Sequence, residues 1–271
     1  MDAPTFLGAR RVAPDTTTFR GFYPLGPMGI LPANAHLIHA KEPMLVDTSG
    51  VALREPFLDA LAEKIDPADL KWIFLSHTDL DHVGNLEQVM EMAPQAKVVI
   101  AGLGSAKLSL RESFDMSRIH VLEAGERLNL GDRDLVAIKP PIYDAPETIG
   151  FFDTKTRVLF SADAFGALME APHEELAAVP EQQLRDGMAV WSGVDAPWLG
   201  IVDRQAFGHL LSDIQRLDPS AIISGHLPVA PPEMIGKLLD NVMAAVSGGR
   251  IPAPDRATVE GIMAAADAEY A

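Results

Sequence analysis

Four side chains able to bind a divalent cation fall within six residues of this 271-residue chain: His77, Asp79, Asp81 and His82, in the run Ile73-Phe-Leu-Ser-His-Thr-Asp-Leu-Asp-His-Val-Gly-Asn85. A strand presents alternate residues to one side, and a helix presents every third or fourth. Positions 77, 79, 81 and 82 obey neither period, so they belong to a loop that can fan them around a centre. Imidazole and carboxylate are donors for divalent metals, and four so close together point to two ions rather than one. Helix capping accounts for one aspartate but leaves two histidines and the other aspartate without a purpose.

The surrounding elements must hold that loop. Apolar Trp72 to Leu75 reads as the strand that feeds it, and a helix is predicted over Val83 to Met92, ended by Pro94. Upstream, Ile30 to Ala40 and Pro43 to Asp47 read as two strands about Lys41-Glu42, and Asp2 to Phe22 holds an edge strand or two. Arg54 to Ile65 carries Phe57, Leu58, Leu61 and Ile65 at helical spacing, and Lys97 to Ala101 is another strand. This alternation is that of an α/β layered fold. Gly102-Leu-Gly104-Ser-Ala-Lys107 lacks the spacing of a phosphate loop and is read as none.

From Ser117 the pattern changes to short strands, predicted at Ile119 to Leu122, Arg127 to Leu130, Asp134 to Ile138, Thr148 to Asp153 and Arg157 to Ser161, a meander forming a second sheet. Asp144 and Asp163 lie at strand ends there. Helices are predicted over Pro180 to Met188 and over Arg204 to Leu217, the latter with Phe207, Leu210, Leu211, Ile214 and Leu217 on one face. Ala221 to Gly225 is an apolar strand that ends at His226. Closing helices follow at Pro232 to Val246 and Ala257 to Tyr270, separated by Gly248-Gly249 and Pro252-Ala253-Pro254.

Composition narrows the function. The chain has no Cys, so it has neither disulfides nor thiolate metal sites, and a metal must sit on nitrogen and oxygen. A formal charge of −16 opposes binding to nucleic acid or an anionic membrane. No basic leader with an apolar run opens the sequence and no stretch reaches about 18 uninterrupted apolar residues. The expectation is a soluble, unsecreted, cytoplasmic protein of one domain.

The run His77-x-Asp79-x-Asp81-His82 resembles the metal motif of the metallo-β-lactamase superfamily, His-x-His-x-Asp-His, with Asp in place of the middle His. An acidic residue there resembles the flavodiiron branch, which usually carries Glu and holds two irons. Leu159-Phe-Ser-Ala-Asp163-Ala-Phe-Gly166 is similar to that branch's segment bearing the carboxylate between the metals, so Asp163 is assigned as the bridge. Asn34-Ala-His36-Leu-Ile with Met44-Leu-Val-Asp47-Thr-Ser-Gly50 is similar to the superfamily's opening hairpin, which makes Asp47 a support of the metal loop and places His36 near it. Asp144 stands where relatives place a third His, and His226 where they place the last one.

The resemblance runs from about Asn34 to His226 and implies an αββα four-layer sandwich, with a helical insertion around residues 170–215 over the site. Trp191, Trp198, Phe165 and Met169 are candidates to wall a pocket there, or plain core. It implies that His77, Asp79 and Asp144 hold one metal and Asp81, His82 and His226 the other, with Asp81 and Asp163 central to catalysis. A carboxylate-rich set favours iron, with manganese or zinc as competitors. Flavodiiron oxygen reductases continue into a flavodoxin domain. No FMN-binding loop is evident in these 271 residues, so no flavin is expected in this chain, and a separate flavoprotein, ferredoxin or rubredoxin would supply electrons. The leading expectation is a diiron enzyme that binds or reduces dioxygen or a similar small oxidant, and a homodimer is compatible with it. Two alternatives stay open: a hydrolase of an ester, thioester or amide using a metal-bridging hydroxide, and a non-catalytic diiron oxygen sensor.

Overall fold

The computed structural model describes residues 3–111, 114–247 and 255–269. One sheet has the order β1 (Thr5–Ala13), β2 (Thr16–Pro24), β3 (Ile30–Ile38), β4 (Met44–Val46), β5 (Trp72–Phe74), β6 (Lys97–Ile100), β7 (Ile119–Val121). Its first four strands pair antiparallel, and β4 to β7 run parallel, joined by helices. Those helices are α1 (Arg54–Lys64), the short pair α2 (Leu80–Val83) and α3 (Leu86–Met92), and α4 (Gly102–Leu108).

The second sheet comprises β8 (Arg127–Asn129), β9 (Asp134–Ile138), β10 (Gly150–Asp153), β11 (Val158–Phe160), β12 (Ala221–Ser224) and β13 (Leu227–Ala230), in the order β13-β12-β11-β10-β9-β8. Only β11 and β12 pair parallel, because the crossover between them carries α5 (Glu181–Asp195) and α6 (Arg204–Leu217). Then come α7 (Pro232–Ser247) and α8 (Arg256–Glu269).

Strand alternation explains why four layers form. In β5, Phe74 turns towards the other sheet and packs with Val46, Val99, Phe151 and Phe160, while Ile73 and Leu75 turn outward among Phe57, Leu61, Leu86 and Val89 of α1 and α3. In β11, Val158 and Phe160 face inward, whereas Leu159 joins Leu184, Met188, Phe207 and Leu238 of α5, α6 and α7. Each sheet therefore has two apolar faces, one for its partner sheet and one for helices, which is the expected αββα sandwich.

Several boundaries differ from expectation. The strand at Ile119 joins the first sheet, parallel to β6, and not the meander, since the crossover through α4 places it beside Val98. The helix expected from Val83 starts earlier, at Leu80, and breaks at Gly84-Asn85. A Cβ on Gly84 would stand 2.7 Å from Val51 N and 2.8 Å from Ser49 O, so close approach requires glycine there. The buried Asn85 amide donates to the carbonyls of Thr48 (2.9 Å) and Gly50 (3.1 Å), locking the ligand loop to the one after β4. Helix α5 runs on past Met188 to Asp195, and β13 is an extra strand after His226. Gly102 to Leu108 is helical, and Lys107 pairs with Glu147. The predicted breaks at Gly248-Gly249 and Pro252-Ala253-Pro254, and Tyr270, lie outside the described residues.

Phe74 is fully buried, with edge-on rings of Phe151 at 5.2 Å and Phe160 at 6.1 Å. Phe74→Ala is expected to cost about 3–5 kcal/mol in urea unfolding. A loss below about 1 kcal/mol would show that the inter-sheet core does not depend on this ring.

Candidate metal centre

Strands β4, β5, β11 and β12 deliver the site by ending beside it. His77 lies just past β5, Asp163 just past β11 and His226 just past β12, and all three are buried. The donor atoms of His77, Asp79 and Asp144 lie within 4.8 Å of one another, as do those of Asp81, His82 and His226. Asp163 stands between the trios. Its Oδ2 is 3.3 Å from His77 Nε2, and its Oδ1 is 3.1 Å from His82 Nε2 and 3.4 Å from His226 Nε2. Asp81 Oδ2 is 3.5 Å from Nε2 of both His82 and His226. All seven residues proposed from the sequence as ligands are thus in one place.

Every imidazole is held by its outer nitrogen. His82 Nδ1 faces Asp47 Oδ2 at 2.9 Å, His226 Nδ1 faces the Pro32 carbonyl at 2.6 Å, and His77 Nδ1 faces Ser76 Oγ at 2.9 Å. Carbonyl and carboxylate oxygens only accept, so His82 and His226 carry a proton on Nδ1, and Nε2 is the nitrogen turned towards the centre. The Ser76 hydroxyl donates to Asp47 Oδ2 at 2.9 Å and so accepts from His77 Nδ1, which places a proton there as well. Asp47 also accepts from the Ser76 backbone N–H at 2.8 Å. One buried carboxylate therefore orients two imidazoles and pins the start of their loop. His36 is buried one strand away, with Nδ1 2.9 Å from Thr18 Oγ1 and its ring against Phe160.

The aspartates are free for the centre to different degrees. Asp79 occupies the N-cap of α2 but its side chain makes no capping bond. One oxygen of Asp144 holds its own turn, accepting the Ala145 N–H at 2.5 Å. Both residues are exposed, which leaves the site open on the side of the first trio, whereas the ring of Trp191 covers His226 at 4.7 Å. Trp198 packs on Tyr143, and Phe165 and Met169 belong to the core.

Backbone strain gathers here as well. Asp47, Ser49, Ala162 and Phe165 have φ of 56°, 59°, 50° and 69°, a region non-glycine residues seldom visit, and they flank the site from the β4 and β11 loops. Gly225 lets the His226 turn close on the others, since a Cβ there would stand 2.9 Å from His82 Cε1 and 3.2 Å from Asp163 Oδ1.

Burial alone would push the Asp163 carboxyl up, yet His77, His82 and His226 together hold it well below the usual carboxylate range. Burial would likewise depress His82, but Asp81, Asp163 and Asp47 outweigh it and raise its pKa. Two residues that sequence reasoning did not single out respond to the same field. Asp195, the last residue of α5, is pushed up to about 8 by burial and then by the charges of Asp163 and Asp144. Tyr23, whose hydroxyl borders Gly50 next to Asp81, is raised to about 12 by burial and then by Asp81. Neither carries a motif: Asp195 reads as a helix-end aspartate and Tyr23 as a strand aromatic.

The four-layer sandwich with this site at its strand ends is the metallo-β-lactamase fold. A family model described as ODP family beta lactamase matches residues 31–226, and the chain belongs to that family. Among curated relatives, a diflavin flavoprotein A 1 of Synechocystis sp. is 34% identical over 134 residues, 49% of this chain and 23% of its own length. An anaerobic nitric oxide reductase flavorubredoxin of Klebsiella pneumoniae is 28% identical over 49% of this chain and 28% of its own. The matched stretch thus spans about a quarter of each of these relatives. The solved structure of rubredoxin oxygen:oxidoreductase from Desulfovibrio gigas superposes with a TM-score of 0.75 over 89% of this chain and 62% of that one at 19% identity, a likeness of fold.

Burial lowers the pKa of His36 to about 4 against the pull of Asp47. The unfolded chain takes up that proton near pH 6.5, so it binds more protons than the folded state between there and pH 4. Stability conferred by neutral His36 is therefore lost as pH falls through this window, by roughly 3 kcal/mol between pH 7 and pH 4. His36→Asn removes that slope, and urea unfolding of both proteins at several pH values measures it. A wild-type minus variant difference that stays constant with pH would mean that His36 titrates normally.

Proposed function

We propose that the chain is a dinuclear metalloprotein of flavodiiron type, an oxidoreductase that takes a small oxidant such as dioxygen or nitric oxide and is reduced by a separate donor protein. The position of Asp163 carries this reading: a buried carboxylate with one oxygen towards each of two trios of donors. The donor set fits two cations. Nε2 of His77, Nε2 of His82 and Oδ1 of Asp163 are buried without a hydrogen-bond partner, a costly state that coordination relieves. In this reading His77, Asp79 and Asp144 would hold one ion, Asp81, His82 and His226 the other, and Asp163 would serve both. Iron fits best, because oxygen donors outnumber imidazoles.

When bound, the two ions would supply the electron exchange with the oxidant and the donor. The protein supplies the rest. Asp47 and Ser76 fix the imidazole tautomers, Trp191 shields the side of His226, and the open face at Asp79 and Asp144 admits a small molecule. Tyr23 keeps its proton beside Asp81. The names of the relatives, a nitric oxide reductase and a rubredoxin oxygen:oxidoreductase, support the reaction class and a protein donor. The exposure of Asp79 and Asp144 also suits a second reading, metal-assisted hydrolysis of a substrate too large for an enclosed pocket.

Metal analysis of protein purified without added metal, followed by anaerobic reduction and exposure to oxygen or nitric oxide, tests the proposal. About two irons per chain with an oxidant-dependent optical change is the expected result. Decay of that change under turnover marks a reductase and its persistence a sensor. Two zincs with no optical response would sink the redox reading in favour of the hydrolase. Asp163→Ala should abolish binding of both ions in a folded protein, and two retained equivalents would refute the bridge.

A further inference from the structure

Asp195 is not part of either trio, and its surroundings leave it little reason to be an aspartate. Its carboxyl oxygen lies within 4.8 Å of those of Asp144 and Asp163. It ends a 15-residue helix, where unpaired carbonyls leave a partial negative charge that disfavours an anion. Its Oδ2 is buried without a partner, and so is Oδ1 of Asp163, which is only 3% exposed. The three histidines around Asp163 are its close partners, and Lys139 acts on Asp144 only through its field, its amine being bound to the carbonyls of Pro146 and Thr148. Three carboxylates so placed, two with an orphaned buried oxygen, call for a cation among them.

We propose that Asp195 is a further metal-ligating residue. Asp144 belongs both to this cluster and to the trio with His77 and Asp79, so the ion that Asp195 serves is that of the first trio. This inference rests on the dinuclear reading above and deepens it. The first position becomes one imidazole with the carboxylates of Asp79, Asp144, Asp163 and Asp195, and the second two imidazoles with Asp81 and Asp163. The two positions differ in hardness: the first selects an oxygen-loving ion such as Mn²⁺ or Fe²⁺, while the second, richer in nitrogen, also accepts Zn²⁺. Because Asp195 comes from α5, filling the first position also ties that helix to the strand ends.

The test is an anaerobic titration of the metal-free full chain with Mn²⁺, following free Mn²⁺ by its electron paramagnetic resonance signal, alongside thermal unfolding with and without metal. The wild-type chain should take up two equivalents. Asp195→Asn, the same shape without the charge, should weaken one equivalent about tenfold or more and spare the other. Metal-free Asp195→Asn should stay folded, and its unfolding temperature should gain less than that of wild type on adding Mn²⁺. Asp195→Ala should show the same loss of one equivalent. Two equivalents bound by Asp195→Asn within about twofold of wild type would overturn the role of Asp195 while leaving the dinuclear centre standing. A wild-type chain that binds no Mn²⁺ would overturn both.

Discussion

A buried carboxylate surrounded by donors rather than by cationic side chains sets the terms for this structure. Asp163 is almost wholly shielded from water and meets three imidazole nitrogens, yet Asp79, Asp81, Asp144 and Asp195 crowd the same space. Two carboxylates about 4 Å apart repel by about 4 kcal/mol at the effective dielectric of a protein surface. The three imidazoles offset part of that only by taking up protons, which burial resists. In the dinuclear reading proposed above, divalent cations would resolve the conflict, and the rest of the architecture holds the donors in place for them.

Holding them in place costs strain. Four residues bordering the site adopt left-handed backbone conformations, and Gly84 and Gly225 permit contacts that any side chain would block. Asp47 is the hub: its carboxylate takes the Ser76 N–H and hydroxyl and faces Nδ1 of His82. Asn85 fastens the same two loops from the other side through three backbone carbonyls. The rigidity needed for this comes from strands buried on both faces, whose ends cannot shift without opening two cores at once.

The centre is unequal across its width. Around the first trio, exposed Asp79 and Asp144 with Asp195 make an oxygen-rich, open side. Around the second, His82 and His226 lie buried, with the ring of Trp191 edge-on to the latter. The departure from the superfamily's usual motif, aspartate where it carries histidine at positions 79 and 144, falls wholly on the open side. The difference in charge and exposure thus coincides with the difference in donor type.

The sequence alone was enough for the residues that announce themselves by density or by setting. Four donors in six residues cannot be fitted to any regular element, so α/β layering and the ligand loop were readable from local pattern, whereas the four-layer fold and the roles of Asp144, Asp163 and His226 came from the resemblance to the metallo-β-lactamase superfamily. Periodicity also located most helices, because an amphipathic face is written along the chain. What it could not hold was anything decided by pairing. Ile119 to Val121 reads like its meander neighbours but belongs to the other sheet, since a three-residue strand has no inherent partner. The break at Gly84-Asn85 depends on the backbone of Ser49 and Val51, remote in sequence. Asp195 and Tyr23 became part of the site only through α5 and β2 folding over it. Local spacing determines which residues can bind together, whereas burial and the charges of distant neighbours, which exist only in the folded chain, decide which of the remaining ones must.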